Sequence, residues 1–148
     1  MFYKGYSQQI FQNQIILQWK PWLGLAFEFF CIKNNEFIAN LMGFADEITG
    51  VGSFFQKSTA NESGVQIDLI YFRKNIITIC EIKLTDKPVG IEIINEFDEK
   101  LIKLKPHLKN YNMLEFALIS PSGISKTLQQ KKYFHHIVTL EDLFKDVI

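Results

Sequence analysis

VQIDLIYFRKNIITICEIKL, residues 65–84, is the stretch that decides the fold of this chain. It contains two runs rich in β-branched residues, 65–72 and 76–84, on either side of the polar tip Arg73-Lys74-Asn75. Two such runs around a short polar tip predict a β-hairpin. With Lys74 and Asn75 as the two-residue loop, the pairing starts at Arg73 and Ile76, and every further pair follows from it.

This register predicts which side chains share a face of the hairpin. Asp68 lies beside Glu81 and Gln66 beside Lys83, and since side chains alternate along a strand, all four point to one side. The other side is then almost wholly apolar, and consists of Val65, Ile67, Leu69, Tyr71, Thr78, Cys80, Ile82 and Leu84.

The two opposed carboxylates require an explanation. Directly paired residues have Cβ atoms only about 5 Å apart, and like charges at that distance destabilise a sheet. A salt-bridge cluster with Lys83 is one compensation, and a divalent cation is another, because Mg²⁺ is held by one or two carboxylates with water and phosphate oxygens. The position of the charges within isoleucine-flanked strands favours the cation.

The rest of the chain predicts helices packed on a small mixed sheet. Apolar positions recur with helical spacing in a first helix beginning near Ser7, and Pro21 suits the first turn of a second helix. This order of elements predicts an α/β fold, a single domain over residues 1–148 with a helical N-terminal part at 7–42 and the hairpin at 65–84. The further predictions are helices at 21–33, 36–42 and 91–105, strands near 53–57, 113–120 and 135–140, and a helical turn at 141–144.

Composition excludes several classes of protein. A hydrophobic fraction of 47% in 148 residues suits one folded domain rather than a disordered chain, and a net charge of zero argues against a generic polyanion binder. The lone cysteines Cys31 and Cys80 exclude a disulfide scaffold and fit a reducing cytoplasm. The longest apolar stretch, 15–32, is interrupted by Lys20, Pro21 and Glu28, so we expect a cytoplasmic protein with no membrane partner.

Four segments also resemble a known superfamily. GVQIDLI at 64–70 and CEIK at 80–83 resemble the core of the PD-(D/E)xK phosphodiesterases, which have the restriction-endonuclease-like fold. Together with WKPWLGLAFE at 19–28 and VTLEDLF at 138–144, they look most like the nuclease-like C-terminal domain of a family of prokaryotic AAA-type ATPases. Ile67 replaces the usual proline before Asp68, and the chain contains no Gly-x-x-x-x-Gly-Lys-Ser/Thr motif for ATP.

The resemblance implies a mixed central sheet flanked by helices and a metal-dependent hydrolysis of DNA phosphodiester bonds. It implies that Asp68 and Glu81 bind Mg²⁺ or Mn²⁺ together with the backbone carbonyl of Ile82, and that Glu28 completes the site directly or through water. It further implies that Lys83 orients the attacking water and stabilises charge on the phosphate. This division of roles is chemically coherent for phosphoryl transfer to water.

Partners follow from the same comparison. Gln66, Lys100 and Lys103 are candidates for contact with nucleic acid, although the two lysines also fit an ordinary solvent-facing helix surface. The alternative function is a catalytically silent nuclease-fold module that docks on an ATPase or another protein partner. A homodimer is a further expectation, because many nucleases of this kind need two copies to cut both strands.

Overall fold

The computed structural model describes residues 16–145, and the side chains from residue 21 onward. Its strands are β1 (Gly50–Gln56), β2 (Val65–Phe72), β3 (Ile76–Ile82), β4 (Met113–Ile119) and β5 (His136–Val138). Its helices are α1 (Ile16–Lys33), α2 (Asn35–Met42), α3 (Glu92–Leu104), α4 (Lys126–Lys131) and α5 (Leu140–Leu143), with short 3₁₀ turns at Ala45–Glu47 and Lys105–His107.

The five strands form one mixed sheet in the order β1-β2-β3-β4-β5. The first three are antiparallel neighbours, whereas β3 pairs in parallel with β4, and β4 with β5. A parallel pair needs a crossover, and α3 supplies it between β3 and β4. The predicted α/β fold, a mixed central sheet flanked by helices, is therefore confirmed.

Two apolar clusters pack on this sheet. The first includes Ile79 of β3 and the buried stripe of α3, in which Phe97 is fully buried and lies in edge contact with the ring of Phe116. The second includes Cys31 of α1, Ile38 of α2 and Cys80 of β3. Both cysteines are buried, free thiols, in agreement with the prediction that they form no disulfide scaffold.

The hairpin has the predicted register near its turn, with Phe72 opposite Ile77 and Leu69 opposite Cys80. The predicted faces are wrong farther along, because Val65 and Ile67 belong to the same cluster as Ile79 rather than to the cluster of Leu69. The cause is a β-bulge. Ile67 pairs with Phe54 of β1 and Ile70 with Gly52, so two residues of β2 face one residue of β1 and the alternation slips.

Helix boundaries differ from prediction mainly at Pro21. The helix α1 begins at Ile16, so Pro21 lies inside it rather than at its first turn, at the cost of one backbone donor. The predicted helix start at Ser7 lies outside the described residues. Helices α2, α3 and α5 begin within one residue of the predicted positions, whereas the last strand is shorter than predicted. No helix within residues 16–145 is long and apolar enough to cross a membrane.

Candidate metal and nucleic-acid site

Glu81 is the central residue of the candidate site. It lies one residue before the end of β3 and is 5% exposed. Among the residues whose side chains the structure describes, it is the one charged residue that is buried along its whole length, backbone included. A buried carboxylate destabilises a fold unless cations or donors surround it. The residues around Glu81 therefore determine what the site can do.

Two lysines from different elements neutralise Glu81. The Nζ of Lys100, on α3, lies 2.9 Å from both carboxylate oxygens and donates hydrogen bonds to each. The Nζ of Lys83, just beyond β3, lies 3.7 Å from Oε1 of Glu81 and 3.4 Å from Oε2 of Glu96. Lys100 is therefore the close partner, and Lys83 is a looser one shared with a second carboxylate.

Glu28 and Asp68 belong to the same electrostatic environment. Burial against the sheet raises the pKa of Glu28, and the negative charges of Asp68 and then Glu81 raise it further, while Lys100 and Lys83 oppose the shift. These five ionisable groups come from α1, β2, the end of β3 and α3. Glu28 is thus close enough to the other three predicted site side chains, and to one more lysine, for their charges to shift its pKa.

Asp68 does not oppose Glu81 in the way that the simple hairpin register predicts. The pairing of β2 with β3 ends at Leu69 and Cys80, so both carboxylates lie just beyond the last pair. The bulge at Asp68 and Leu69 explains this, because bulges bend a strand and end regular pairing, and they are common beside active sites. Asp68 accepts a hydrogen bond from the amide of Gln66 and stays partly exposed.

The carboxylates of this site are of the chemical type that a hard divalent cation prefers, but few of them converge. Within residues 16–145, no three histidine, cysteine, aspartate or glutamate side chains converge closely enough to hold an ion. Carboxylates such as Asp68 and Glu81 nevertheless suit Mg²⁺, which binds protein through one or two of them and keeps several waters. The ammonium of Lys100 occupies the space in front of both oxygens of Glu81.

A cleft of about 190 Å³ opens beside Lys83, between the loop after β3 and the start of α3. Its walls include Lys83, Lys87 and Glu96. A lysine that reaches both a buried acid and an open cleft can contact a bound anion without leaving the protein surface.

The two remaining candidates, Lys103 and Ile82, make no hydrogen bond or ion pair with a site carboxylate within the described residues. Lys103 donates to the backbone carbonyl of Ser63 and, at 3.0 Å, to its hydroxyl, so it ties α3 to the loop before β2. Ile82 ends β3 and is buried, and metal binding by its carbonyl stays a prediction. Of the three candidates for nucleic-acid contact, Gln66 binds Asp68 and Lys100 binds Glu81, whereas Lys103 binds Ser63.

Sequence reasoning missed the pairing of Lys100 with Glu81. The two residues are 19 positions apart, and no local pattern joins them. The available signal was indirect: a crossover helix must cover one face of the sheet, and Lys100 flanks the buried stripe of that helix between Phe97 and Leu101.

A second charged network, also missed, lies elsewhere on the sheet. The guanidinium of Arg73, with its side chain 8% exposed, donates to carboxylates of Glu47, at 3.0 Å, and Glu115. It also donates to Thr78 at 2.9 Å and stacks over the ring of Phe44 at 4.1 Å. Arg73 was predicted only as part of a polar turn, and its partners come from segments distant in sequence.

Comparison with known proteins gives structural matches only. The sequence matches no protein-family model and no curated protein. One matching structure is a protein of unknown function, with 13% identity and a TM-score of 0.49 over 73% of this chain and 56% of that one. Another is a repair endonuclease from Pyrococcus abyssi, with 12% identity and a TM-score of 0.44 over 79% of this chain and 45% of that one. A third is an EndoMS complex with double-stranded DNA, with 11% identity and a TM-score of 0.38 over 71% of this chain and 43% of that one. The chain spans about half the length of these proteins.

Proposed function

We propose that this chain is a metal-dependent nuclease domain that hydrolyses DNA phosphodiester bonds. The supporting observation is the buried carboxylate of Glu81, which is neutralised by lysines and lies in the same electrostatic environment as Glu28 and Asp68. A purely structural strand would gain as much from an apolar residue at this position, since a buried ion pair is seldom more stabilising than good apolar packing.

The proposed roles follow from burial and reach. Asp68 and Glu81 would hold Mg²⁺ or Mn²⁺, with the Ile82 carbonyl as a further ligand and Glu28 as an additional carboxylate. When bound, such an ion lowers the pKa of a coordinated water and offsets negative charge on the phosphate. Lys83, beside the cleft, would orient the attacking water and stabilise the charge that develops on the phosphoryl oxygens.

Glu28 has a second property that suits the site. Its raised pKa means that its carboxyl group accepts a proton more readily than an exposed glutamate does. A group of this kind can take a proton from a nearby water through a short hydrogen-bonded path. We therefore assign Glu28 a second role, in positioning or deprotonating a water, beside its role as an additional carboxylate for the metal.

The test is cleavage of mixed DNA substrates, comprising duplex, single-stranded and branched forms, with Mg²⁺, with Mn²⁺ and with chelator. The proposal expects cleavage that requires the metal and is abolished in Glu81→Gln, with circular dichroism showing an intact fold. Cleavage that persists in chelator would refute the metal dependence. Absence of cleavage on every substrate, together with no metal binding, would refute the nuclease assignment.

The second candidate is a catalytically silent binding module on an ATPase or another protein. Two observations favour it: no three metal-ligating side chains converge in the described part of the chain, and Glu81 already has lysine partners. Tight partner binding without metal affinity would select this function. The ATPase association and the homodimer both stay predictions, to be checked by co-purification and by light scattering.

A further inference from the structure

We propose that Lys100 is a displaceable counter-cation that occupies the metal-binding side of Glu81 and so sets the metal affinity of the site. This inference rests on the proposed metal-dependent function. Its basis is a geometry in which one ammonium nitrogen lies at the same distance, 2.9 Å, from both oxygens of a buried carboxylate.

The position of the ammonium makes it a competitor of a metal ion. The Lys100 nitrogen hydrogen-bonds to both oxygens of Glu81, so it occupies the space in front of the carboxylate that a cation binding from that side would need. An ion approaching Glu81 from that side must therefore displace Lys100. Lys83 lies 3.7 Å from one oxygen of Glu81 only, so it is the looser of the two partners.

The relative exposure of the partners decides which one moves. The side chain of Glu81 is 6% exposed, whereas that of Lys100 is 28% exposed. A lysine on the flank of α3 can turn its ammonium into water while its methylene stem stays on the helix. Glu81 is fixed by burial at the end of β3, so metal entry changes the position of the lysine rather than that of the acid.

The structure of α3 provides a comparison residue. Lys103 lies on the same helix three positions farther on, but its ammonium binds Ser63 rather than a site carboxylate. Removing either lysine changes the net charge of the chain equally. Only the removal of Lys100 takes away a cation that competes directly for Glu81.

Loss of Lys100 should change metal affinity and the stability of the metal-free protein in opposite directions. Without metal, Lys100 stabilises the fold by pairing with a buried charge, so its loss lowers the melting temperature. When metal is bound, the ion takes the place of that pairing. In a variant without Lys100, the metal binds without first displacing an ammonium. Competition from one nearby charge corresponds to an affinity change on the order of tenfold.

The experiment measures Mn²⁺ binding by calorimetry and by electron paramagnetic resonance of the free ion, in wild type, Lys100→Met and Lys103→Met. The expected result is Mn²⁺ affinity about tenfold tighter in Lys100→Met and changed less than about twofold in Lys103→Met. Thermal melts should show Lys100→Met below wild type in chelator, with the difference closing at saturating Mn²⁺.

Each outcome decides the question. If wild type binds Mn²⁺ and Lys100→Met binds it equally well, the inference fails while the proposed function stands. If none of the proteins binds Mn²⁺, both fail. If Lys100→Met does not fold, Lys100→Gln removes the charge but keeps a donor for Glu81, and the same comparison of affinities applies to it.

Discussion

Replacing Lys83 with alanine should separate catalysis from stability. The ammonium of Lys83 lies 3.7 Å from Glu81 and 3.4 Å from Glu96, and its side chain is 34% exposed. Partly exposed pairs at such distances stabilise proteins by at most about 1 kcal/mol. In a chain of this size that loss corresponds to a fall in melting temperature of about 2–4 °C. Lys100 continues to neutralise Glu81 in the variant.

The expected effect on cleavage is much larger. Removing one preorganised donor from a developing anionic charge costs about 10²–10³-fold in rate. We therefore expect Lys83→Ala to remain folded and to cleave DNA at least about a hundredfold more slowly than wild type. The measurements are single-turnover cleavage at saturating Mg²⁺ and a thermal melt of the same preparation.

Lys74→Ala is the matched control. Lys74 is an exposed lysine at the turn of the same hairpin, at the end of β2 and β3 opposite to Glu81. This variant should keep both its stability and its cleavage rate. Cleavage by Lys83→Ala at the wild-type rate would refute the assigned role of Lys83. A loss of stability well above 1 kcal/mol with proportional loss of activity would identify Lys83 as a structural residue.

Three predictions concern the stability of the fold. Glu115→Ala should lower the free energy of unfolding in urea by about 3 kcal/mol, because it leaves the largely buried side chain of Arg73 with one exposed carboxylate. Glu47→Ala should lower the same free energy by about 1 kcal/mol or less, because its pair with Arg73 is exposed on the glutamate side. Equal losses in the two variants would contradict this prediction. Burial favours a higher pKa for Glu115, but the hydrogen bond with His136 and the charge of Arg73 outweigh burial and hold the pKa below the usual 4.5. The stability that ionised Glu115 contributes is therefore complete above pH 4.5 and is lost as the pH falls through the lower, folded-state pKa. Melts across pH 2–6 should show this loss in wild type and a flatter profile in Glu115→Gln. Phe97→Ala should cost about 3–5 kcal/mol in urea unfolding, because the ring projects from α3 and is fully buried against the sheet, and a loss below about 1 kcal/mol would show that this core is loosely packed.

The fold could be predicted where the signals are local. β-branched runs around a polar tip define β2 and β3, and the register next to the turn follows from the two-residue loop. The last helix is another local case. Thr139 and Asp142 form a reciprocal capping box, with the side chain of each accepting from the backbone of the other, so part of the VTLEDLF segment is a helix-start signal.

Prediction failed where tertiary contacts override local pattern. The bulge in β2 depends on the pairing with β1, which the hairpin sequence does not contain, and it moved Val65 and Ile67 to the other face. The helix α1 continues through Pro21 in spite of the lost hydrogen bond, an outcome that the preference of proline for a first turn does not predict. Neither outcome is encoded in a short window of residues.

The site residues could be named from sequence, but their pairing could not. The acids and Lys83 lie in recognisable segments, so a resemblance of motifs finds them. The partner of Glu81 is contributed by a crossover helix, and only the packing of α3 on the sheet brings Lys100 to it. A charge on a helix flank has the same sequence signature whether it faces water or a buried acid.

The two charged networks of this fold differ in a way that bears on function. The side chain of Arg73 is 8% exposed, and apart from the exposed Glu47 its partners Glu115, Thr78 and Phe44 are buried or half-buried, so they have little freedom to leave. Glu81 is equally buried, yet both of its partners are lysines with about a third of the side chain exposed. A network that only stabilises the fold gains from partners that stay fixed, as around Arg73. A buried acid whose counter-ions can turn into water can exchange them for another cation at little cost to the fold, and this difference is the physical reason for our proposal that a metal binds at Glu81.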